Sequence, residues 1–155
     1  MRKIKYAILT LVLAMAGIQF IPVSRNNGEE YPSTDFTVVY RSAKRISGIF
    51  KTSCYNCHSN HTDYPWYAYI QPVSLYLQSH IKEGKKNLNL SEFGYYPDSR
   101  KVNKLMSMIN EIDEGNMPLP AYTLIHHNSK LSTEDKKLVT DYLELLKTVY
   151  ELFDK

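Results

Sequence analysis

Apolar residues recur at helical spacing in four stretches of the chain, and no stretch shows the strict apolar–polar alternation of a half-buried β-strand. Segments rich in Asn, Gly, Ser and Pro separate these stretches, as is typical of loops. No internal repeat is present. The spacing predicts an all-α domain with helices over about residues 35–50, 72–84, 99–114 and 132–153.

Each predicted helix has one apolar face, which we expect to be buried. Gly115, directly after the third helix, is a typical C-terminal stop, and the segment 132–135 resembles a capping box. The expected buried positions are Val39, Ala43, Ile46 and Phe50 in the first helix, Val73, Leu77, His80 and Ile81 in the second, Val102, Leu105, Met106, Ile109 and Ile112 in the third, and Leu138, Tyr142, Leu145 and Val149 in the fourth.

The first 23 residues have the pattern of a targeting signal, in which a short basic segment precedes an apolar run. The run extends from Tyr6 to Val23, at the short end of what crosses a bilayer. We therefore expect residues 6–23 to anchor the chain on the periplasmic side of the cytoplasmic membrane. The segment ending at Ala16 resembles a small-residue cleavage site, so a soluble periplasmic protein cleaved near Ala16 is the alternative.

Residues 24–34 are polar and contain helix breakers such as Gly28 and Pro32, which is typical of a linker. A chain of 155 residues is long enough for one domain with a real core. The predicted organisation is a signal or anchor over 1–23, a linker over 24–34 and a single domain over 35–155.

The net charge of +3 comes from the N-terminal segment alone. Arg2, Lys3 and Lys5 lie there without an acidic residue, so the rest of the chain has 16 basic and 16 acidic residues. Nucleic-acid binding depends on a basic surface that neutralises phosphates. A neutral domain gives no support for a nucleic-acid partner.

The strongest chemical signal is Cys54-Tyr55-Asn56-Cys57-His58, which contains both cysteines of the chain. C-x-x-C-H is typical of c-type haem attachment. The two thiols add to the two vinyl groups of one porphyrin, and the adjacent histidine becomes the proximal iron ligand. We predict one covalently bound haem c per chain, and the export signal agrees because bacteria attach haem outside the cytoplasmic membrane.

Two other uses of the cysteines have weaker support. A structural zinc site with Cys54, Cys57 and His58 or His61 would need a further ligand pair at recognised spacing, which the sequence lacks. A thioredoxin-like C-x-x-C would need a βαβ context, whereas this chain has helical patterning.

Aromatic residues follow the motif closely, and Trp66 and Tyr67 are the candidates to pack against the haem. The second iron ligand is expected to be Met117, which lies between two predicted helices and precedes a proline that fixes the following backbone. His80 is the alternative, since it lies on the inner face of the second helix.

These motifs resemble the bacterial haem-binding domain proteins related to cytochrome c. The resemblance rests on the C-x-x-C-H motif, on the segment 64–67 and on Gly115-Asn116-Met117-Pro118-Leu119-Pro120, and it covers roughly residues 36–146. It implies a small cytochrome c-like helical domain wrapped around one haem, with Cys54 and Cys57 attached to it, His58 proximal and Met117 distal.

The predicted function is that of a monohaem c-type cytochrome that exchanges single electrons with redox partner proteins. Ligation by His and Met fills both axial positions of the iron, which favours an electron carrier over an enzyme. The alternative is a haem-based sensor or a peroxidase-like enzyme whose distal position is open or labile, with His61 or His80 as acid–base candidates.

Overall fold

The computed structural model describes residues 2–153, which contain no β-strand and only one isolated β-bridge, between Asn27 and His61. The prediction of an all-α chain is confirmed. Short 3-10 turns lie at Trp66–Tyr69, Leu90–Tyr95 and His127–Ser129. The helices are α1 (Arg2–Ile18), α2 (Phe36–Val39), α3 (Lys44–Ser53), α4 (Tyr55–His58), α5 (Val73–Asn87), α6 (Asp98–Asp113), α7 (Pro120–Thr123) and α8 (Thr133–Phe153).

The core is built around Phe36, which is fully buried. Its ring centroid lies 4.9 Å from that of Phe50 on α3 and 5.0 Å from that of Phe93 in the second 3-10 turn. Helices α6 and α8 pack against each other and contribute Leu105 and Leu143 to the same cluster. Aromatic and aliphatic burial of this kind is the main stabilising contribution to such a domain.

The single helix predicted over residues 35–50 is two helices. Asp35 caps α2 by accepting a hydrogen bond from the Thr37 backbone N–H, and α2 ends at Val39. The chain then turns through Arg41, whose φ of 46° lies in the left-handed region and cannot continue a right-handed helix. The second helix, α3, leads directly into Cys54, as the pattern predicted.

In each of the four predicted helices, part of the expected inner face is exposed. In the first two helices the exposed positions are Val39, Ala43 and Val73. In α6, Met108 is buried and Met106 is 46% exposed. In α8, Val139 and Leu143 are buried, whereas Leu145 and Val149 are exposed. A helix in a small domain is covered on one side only, and apolar residues on its flanks blur the position of that side in the sequence.

Helix α1 has no buried residue in the part that the structure describes. It is 17 residues long and ends at Ile18. The next residue, Gln19, binds Gln71: the Gln19 side chain accepts a 3.0 Å hydrogen bond from the Gln71 backbone N–H and donates one to the Gln71 carbonyl. From residue 2 to 153, no helix has the length and apolarity needed to cross a bilayer. The predicted membrane-anchoring helix over residues 6–23 is therefore not supported.

Residues 24–34, predicted as a linker, pack against the loop that follows the cysteines. The Asn26 side-chain amide donates a 2.9 Å hydrogen bond to the Ser59 carbonyl, and the Gly28 backbone N–H donates one of 2.7 Å to the Asn60 carbonyl. A Cβ atom on Gly28 would lie 2.8 Å from the same carbonyl oxygen, so only glycine allows this approach. We call residues 24–30 the strap.

Candidate functional site

A cavity of about 380 Å³ lies between the motif helix α4, helices α5 and α6, and the segment that leads into α7. Its volume is within the range of roughly 300–1,000 Å³ that is common for small-molecule sites. Cys54, Cys57 and His58 all line this cavity, and so does Met117. Apolar side chains form much of the remaining wall, namely Phe50, Leu88, Leu90, Met108, Ile112, Pro118, Leu119 and Leu131.

The two cysteines are free and line the cavity together. Burial raises the pKa of the Cys54 thiol to about 12 and the pKa of the Cys57 thiol to about 11. Redox-active C-x-x-C thiols have a lowered pKa, because only the thiolate attacks. Two buried, neutral thiols facing an apolar space are poorly suited to thiol–disulfide exchange, which needs a thiolate.

His58 is held by a hydrogen bond between its ring and the backbone. Its Nδ1–H donates to the Leu88 carbonyl oxygen over 3.1 Å, which fixes the tautomer and leaves Nε2 free to bind a metal. Burial lowers the pKa of His58, so the ring is neutral and able to coordinate. Leu88 is the residue after α5, and its role has no signature in the sequence.

Gly84 brings α5 close to the motif. A Cβ atom at this position would lie 2.7 Å from the Cys57 carbonyl oxygen, which is closer than any side chain allows. The sequence suggested Gly84 as the end of the helix, but α5 continues to Asn87. The glycine therefore serves close helix–helix packing, and it allows Leu88 to reach His58.

Met117 is positioned by the end of α6. Gly115 has a φ of 75°, a conformation that glycine adopts without strain, and it reverses the chain after the helix. The Met117 backbone N–H then donates a 3.0 Å hydrogen bond to the Glu111 carbonyl oxygen. Two backbone constraints thus hold Met117 at the cavity wall with its side chain half-buried.

His80 and Met108 also line the cavity. His80 precedes Gly84 by one helical turn, so the two lie on the same face of α5. Gly84 is the residue of α5 that packs closely on Cys57, so His80 lies on the face of α5 that meets the motif. Met108 is 9% exposed and belongs to the hydrophobic core. Met117 remains the better candidate for the second iron ligand.

Trp66 and Tyr67 do not line this cavity. Trp66 is 76% exposed, and the hydroxyl of Tyr67 is hydrogen-bonded to His126 Nε2. Their predicted packing against the haem is therefore not supported. Both residues lie in the first 3-10 turn after the motif, and closeness to the motif in the sequence did not place them at the cavity wall.

Tyr122 lines the cavity and was not recognised from the sequence. Its hydroxyl oxygen accepts a 2.9 Å hydrogen bond from the Asn56 side-chain amide. Asn56 is one of the two variable positions between the cysteines, so the motif itself fixes Tyr122. A second, polar cavity of about 630 Å³ lies on the other side of Tyr122 and contains His61, which is thus outside the first cavity.

No group of three or more His, Cys, Asp or Glu side chains in the described part of the chain has a geometry suited to a metal ion. The zinc alternative would require such a group around Cys54 and Cys57. A haem needs only one or two axial side chains in addition to the cysteines, because the porphyrin supplies the other four ligands. The residues around the cavity fit that requirement.

Comparison with known proteins gives an independent assignment. No curated protein and no solved structure has significant similarity to the chain. The sequence model of a family described as a haem-binding domain matches residues 13–145, which include the motif, α5, α6 and the Met117 segment. The match covers most of the 155 residues, and the chain therefore belongs to the haem-binding domain family.

Proposed function

We propose that the protein is a monohaem c-type cytochrome that carries single electrons outside the cytoplasmic membrane. The observation that carries this proposal is that both cysteine thiols, His58 and Met117 line one apolar cavity. Cys54 and Cys57 would hold the haem by thioether bonds, with His58 as proximal ligand and Met117 as distal ligand. The bound haem would supply a one-electron Fe(II)/Fe(III) couple.

Backbone carbonyls and apolar side chains around the cavity would each contribute to this function. The Leu88 carbonyl orients His58 and increases the basicity of its ring. The apolar wall limits access of water to the iron, which is one of the factors that set a reduction potential. The Glu111 carbonyl positions Met117 so that its thioether is available to fill the second axial position.

A visible spectrum of the protein expressed with cytochrome-maturation machinery tests the proposal. We expect a low-spin haem with the far-red sulfur-to-iron band of a Met ligand in the oxidised state. The Met117→Leu substitution should remove this band, whereas Met108→Leu and His80→Gln should keep it. A high-spin wild-type spectrum that shifts with cyanide would instead support a sensor or a peroxidase-like enzyme.

The covalent bonds need a separate test. In the Cys57→Ser variant only one thioether bond can form, so the haem stain of the protein on a denaturing gel should weaken and its absorption maximum should shift. A stain equal to that of the wild type would argue against two thioether bonds. Cys54→Ser is the matched variant at the other attachment point.

The exported location is supported by the basic segment and the exposed apolar residues of α1, such as Ile8 and Leu11. We propose that the haem domain lies on the periplasmic side, where haem is attached and redox partner proteins are available. Intact-mass measurement of membrane and soluble fractions tests this, because cleavage near Ala16 gives a soluble protein of reduced mass. A protein found only in the cytoplasm would contradict the proposal.

A further inference from the structure

A chain of aromatic rings connects the cavity to the protein surface. Its inner ring is Tyr122, which lines the cavity. The ring of His126 stacks on that of Tyr122, with centroids 4.2 Å apart and planes inclined by only 20°. The two rings are one turn apart across the end of α7, where the His126 backbone N–H donates a 2.9 Å hydrogen bond to the Tyr122 carbonyl.

The outer two rings of this series, those of Tyr67 and Trp66, belong to the segment that follows the motif. His126 Nε2 is hydrogen-bonded to the hydroxyl of Tyr67, and the ring centroids of these two residues are 6.1 Å apart. The next ring is that of Trp66, with its centroid 5.8 Å from that of Tyr67 and the planes nearly perpendicular. Trp66 is 76% exposed, so the chain of rings ends in solvent.

The inner end is fixed to the site of haem attachment. The Asn56 amide holds the Tyr122 hydroxyl, and Asn56 lies between the two cysteines in the sequence. Tyr122 therefore keeps its place relative to Cys54 and Cys57. Tyr95 is equally exposed, at 76%, and within residues 2–153 no aromatic ring packs against its ring.

We propose that Tyr122, His126, Tyr67 and Trp66 form the path by which an electron leaves the haem for a protein acceptor. The inference rests on the proposed electron-carrier function and adds the route. With haem bound, the electron would come from oxidation of Fe(II) to Fe(III) and would reduce the acceptor metal; no bond would be made or broken and no proton would move. Tunnelling decays exponentially with the gap between orbitals, and rings in contact shorten each gap.

The test measures electron transfer from the reduced holoprotein to an oxidised blue-copper protein by stopped flow, at increasing acceptor concentration. Saturation separates the affinity of the acceptor from the limiting rate of transfer. We expect Trp66→Leu and Tyr122→Leu each to lower the limiting rate several-fold. Tyr122 is half-buried at the inner end of the path, whereas Trp66 is exposed, so Tyr122→Leu should change the affinity less than Trp66→Leu. Tyr95→Leu, the matched exposed aromatic, should leave both quantities unchanged.

Spectra and reduction potentials of all variants are recorded first, so that a lower rate cannot come from an altered iron site. A limiting rate equal to that of the wild type in both Trp66→Leu and Tyr122→Leu would overturn the path and show that the electron leaves elsewhere. A loss of affinity alone would overturn it as well. A wild-type protein that reduces neither the blue-copper protein nor ferricyanide would overturn the electron-carrier function itself.

Discussion

His58 and Met117 line the same cavity, but the chain holds them differently. His58 belongs to a helix that packs on α5, and its ring has a side-chain hydrogen bond to the Leu88 carbonyl. Met117 is held through its backbone alone, by Gly115 and the Glu111 carbonyl. In the proposed haem site, a ring held in this way would leave the iron less readily than a thioether on a loop, which can rotate away. We therefore expect the distal side to be the more adaptable of the two.

The largest loss of stability is expected from a substitution that disturbs the close packing of α5 on the motif. Gly84→Ala places a Cβ atom 2.7 Å from the Cys57 carbonyl oxygen, so a backbone must move. We expect a loss of about 1–3 kcal/mol in unfolding free energy, as for other overpacked sites, together with a lower yield of covalent haem. Denaturant unfolding followed by circular dichroism and haem staining measure the two effects.

Gly48→Ala is the matched control for Gly84→Ala. Gly48 also lies inside a helix, but a Cβ atom there meets nothing within 4 Å. Alanine should therefore stabilise the protein by about 0.5–1 kcal/mol through its helix propensity. If Gly84→Ala and Gly48→Ala shift the unfolding free energy in the same direction, the close packing of α5 on the motif does not determine stability.

The second prediction concerns the buried support of the motif. The hydroxyl of Tyr55, the first variable position in C-x-x-C-H, donates to both carboxylate oxygens of Asp35, at 2.7 and 2.9 Å. Tyr55→Phe removes a donor from a fully buried carboxylate, which should cost about 1–3 kcal/mol. The exposed Tyr95→Phe should change stability by less than about 0.5 kcal/mol. Equal effects would mean that Asp35 finds other partners.

The distal side should tolerate change much better. Met117→Leu conserves side-chain volume at a half-buried position, so its cost in packing should stay below about 1.5 kcal/mol. Haem staining should equal that of the wild type, because thioether formation needs only the cysteines. A loss of covalent haem in this variant would show that Met117 is needed to form the site. The Met117 side would then not be the more adaptable side of the cavity.

The smallest effect on stability is expected at the start of α8, where Ser132 and Asp135 do not line the cavity. Hydrogen bonds from Ser132 and from Arg45 on α3 lower the pKa of the Asp135 carboxyl below its value in the unfolded chain. The resulting stability is present above the unfolded pKa and is lost as the pH falls through the lowered pKa. Asp135→Asn should therefore lower the thermal midpoint slightly at pH 7, and this difference should disappear as the pH falls through the lowered pKa of Asp135. A difference in thermal midpoint between the wild type and Asp135→Asn that stays the same at every pH would contradict this prediction.

The sequence predicted the elements whose signal is local. Helical spacing, the Gly115 stop and the capping residues of α8 lie within a few residues of what they determine, and Cys54, Cys57, His58 and Met117 were all identified as site residues before their common cavity was known. The spacing of C-x-x-C-H located Cys54, Cys57 and His58, because haem attachment requires neighbouring residues. Met117, 59 positions after His58, was chosen for its place between two predicted helices and before a proline.

The features that the sequence did not reveal depend on contacts between distant segments. Leu88 acts through its backbone carbonyl, so any residue could serve there and no residue type marks it. Tyr122 is placed by Asn56, 66 positions earlier in the chain. Trp66 and Tyr67 were assigned to the haem because they follow the motif closely, but the Tyr67 hydroxyl is hydrogen-bonded to His126, a contact with a segment 59 positions later.

The strap limits how the protein can meet a partner. A free linker would let the haem domain swing over a wide radius, and its effective concentration near a partner would depend on linker length. Here Asn26 and Gly28 are bound to the loop after His58, and Gln19 is bound to Gln71, so almost no chain is left to swing. Any contact that fixes α1 would therefore also keep the cavity that contains Cys54 and Cys57 at a short, nearly constant distance from that contact.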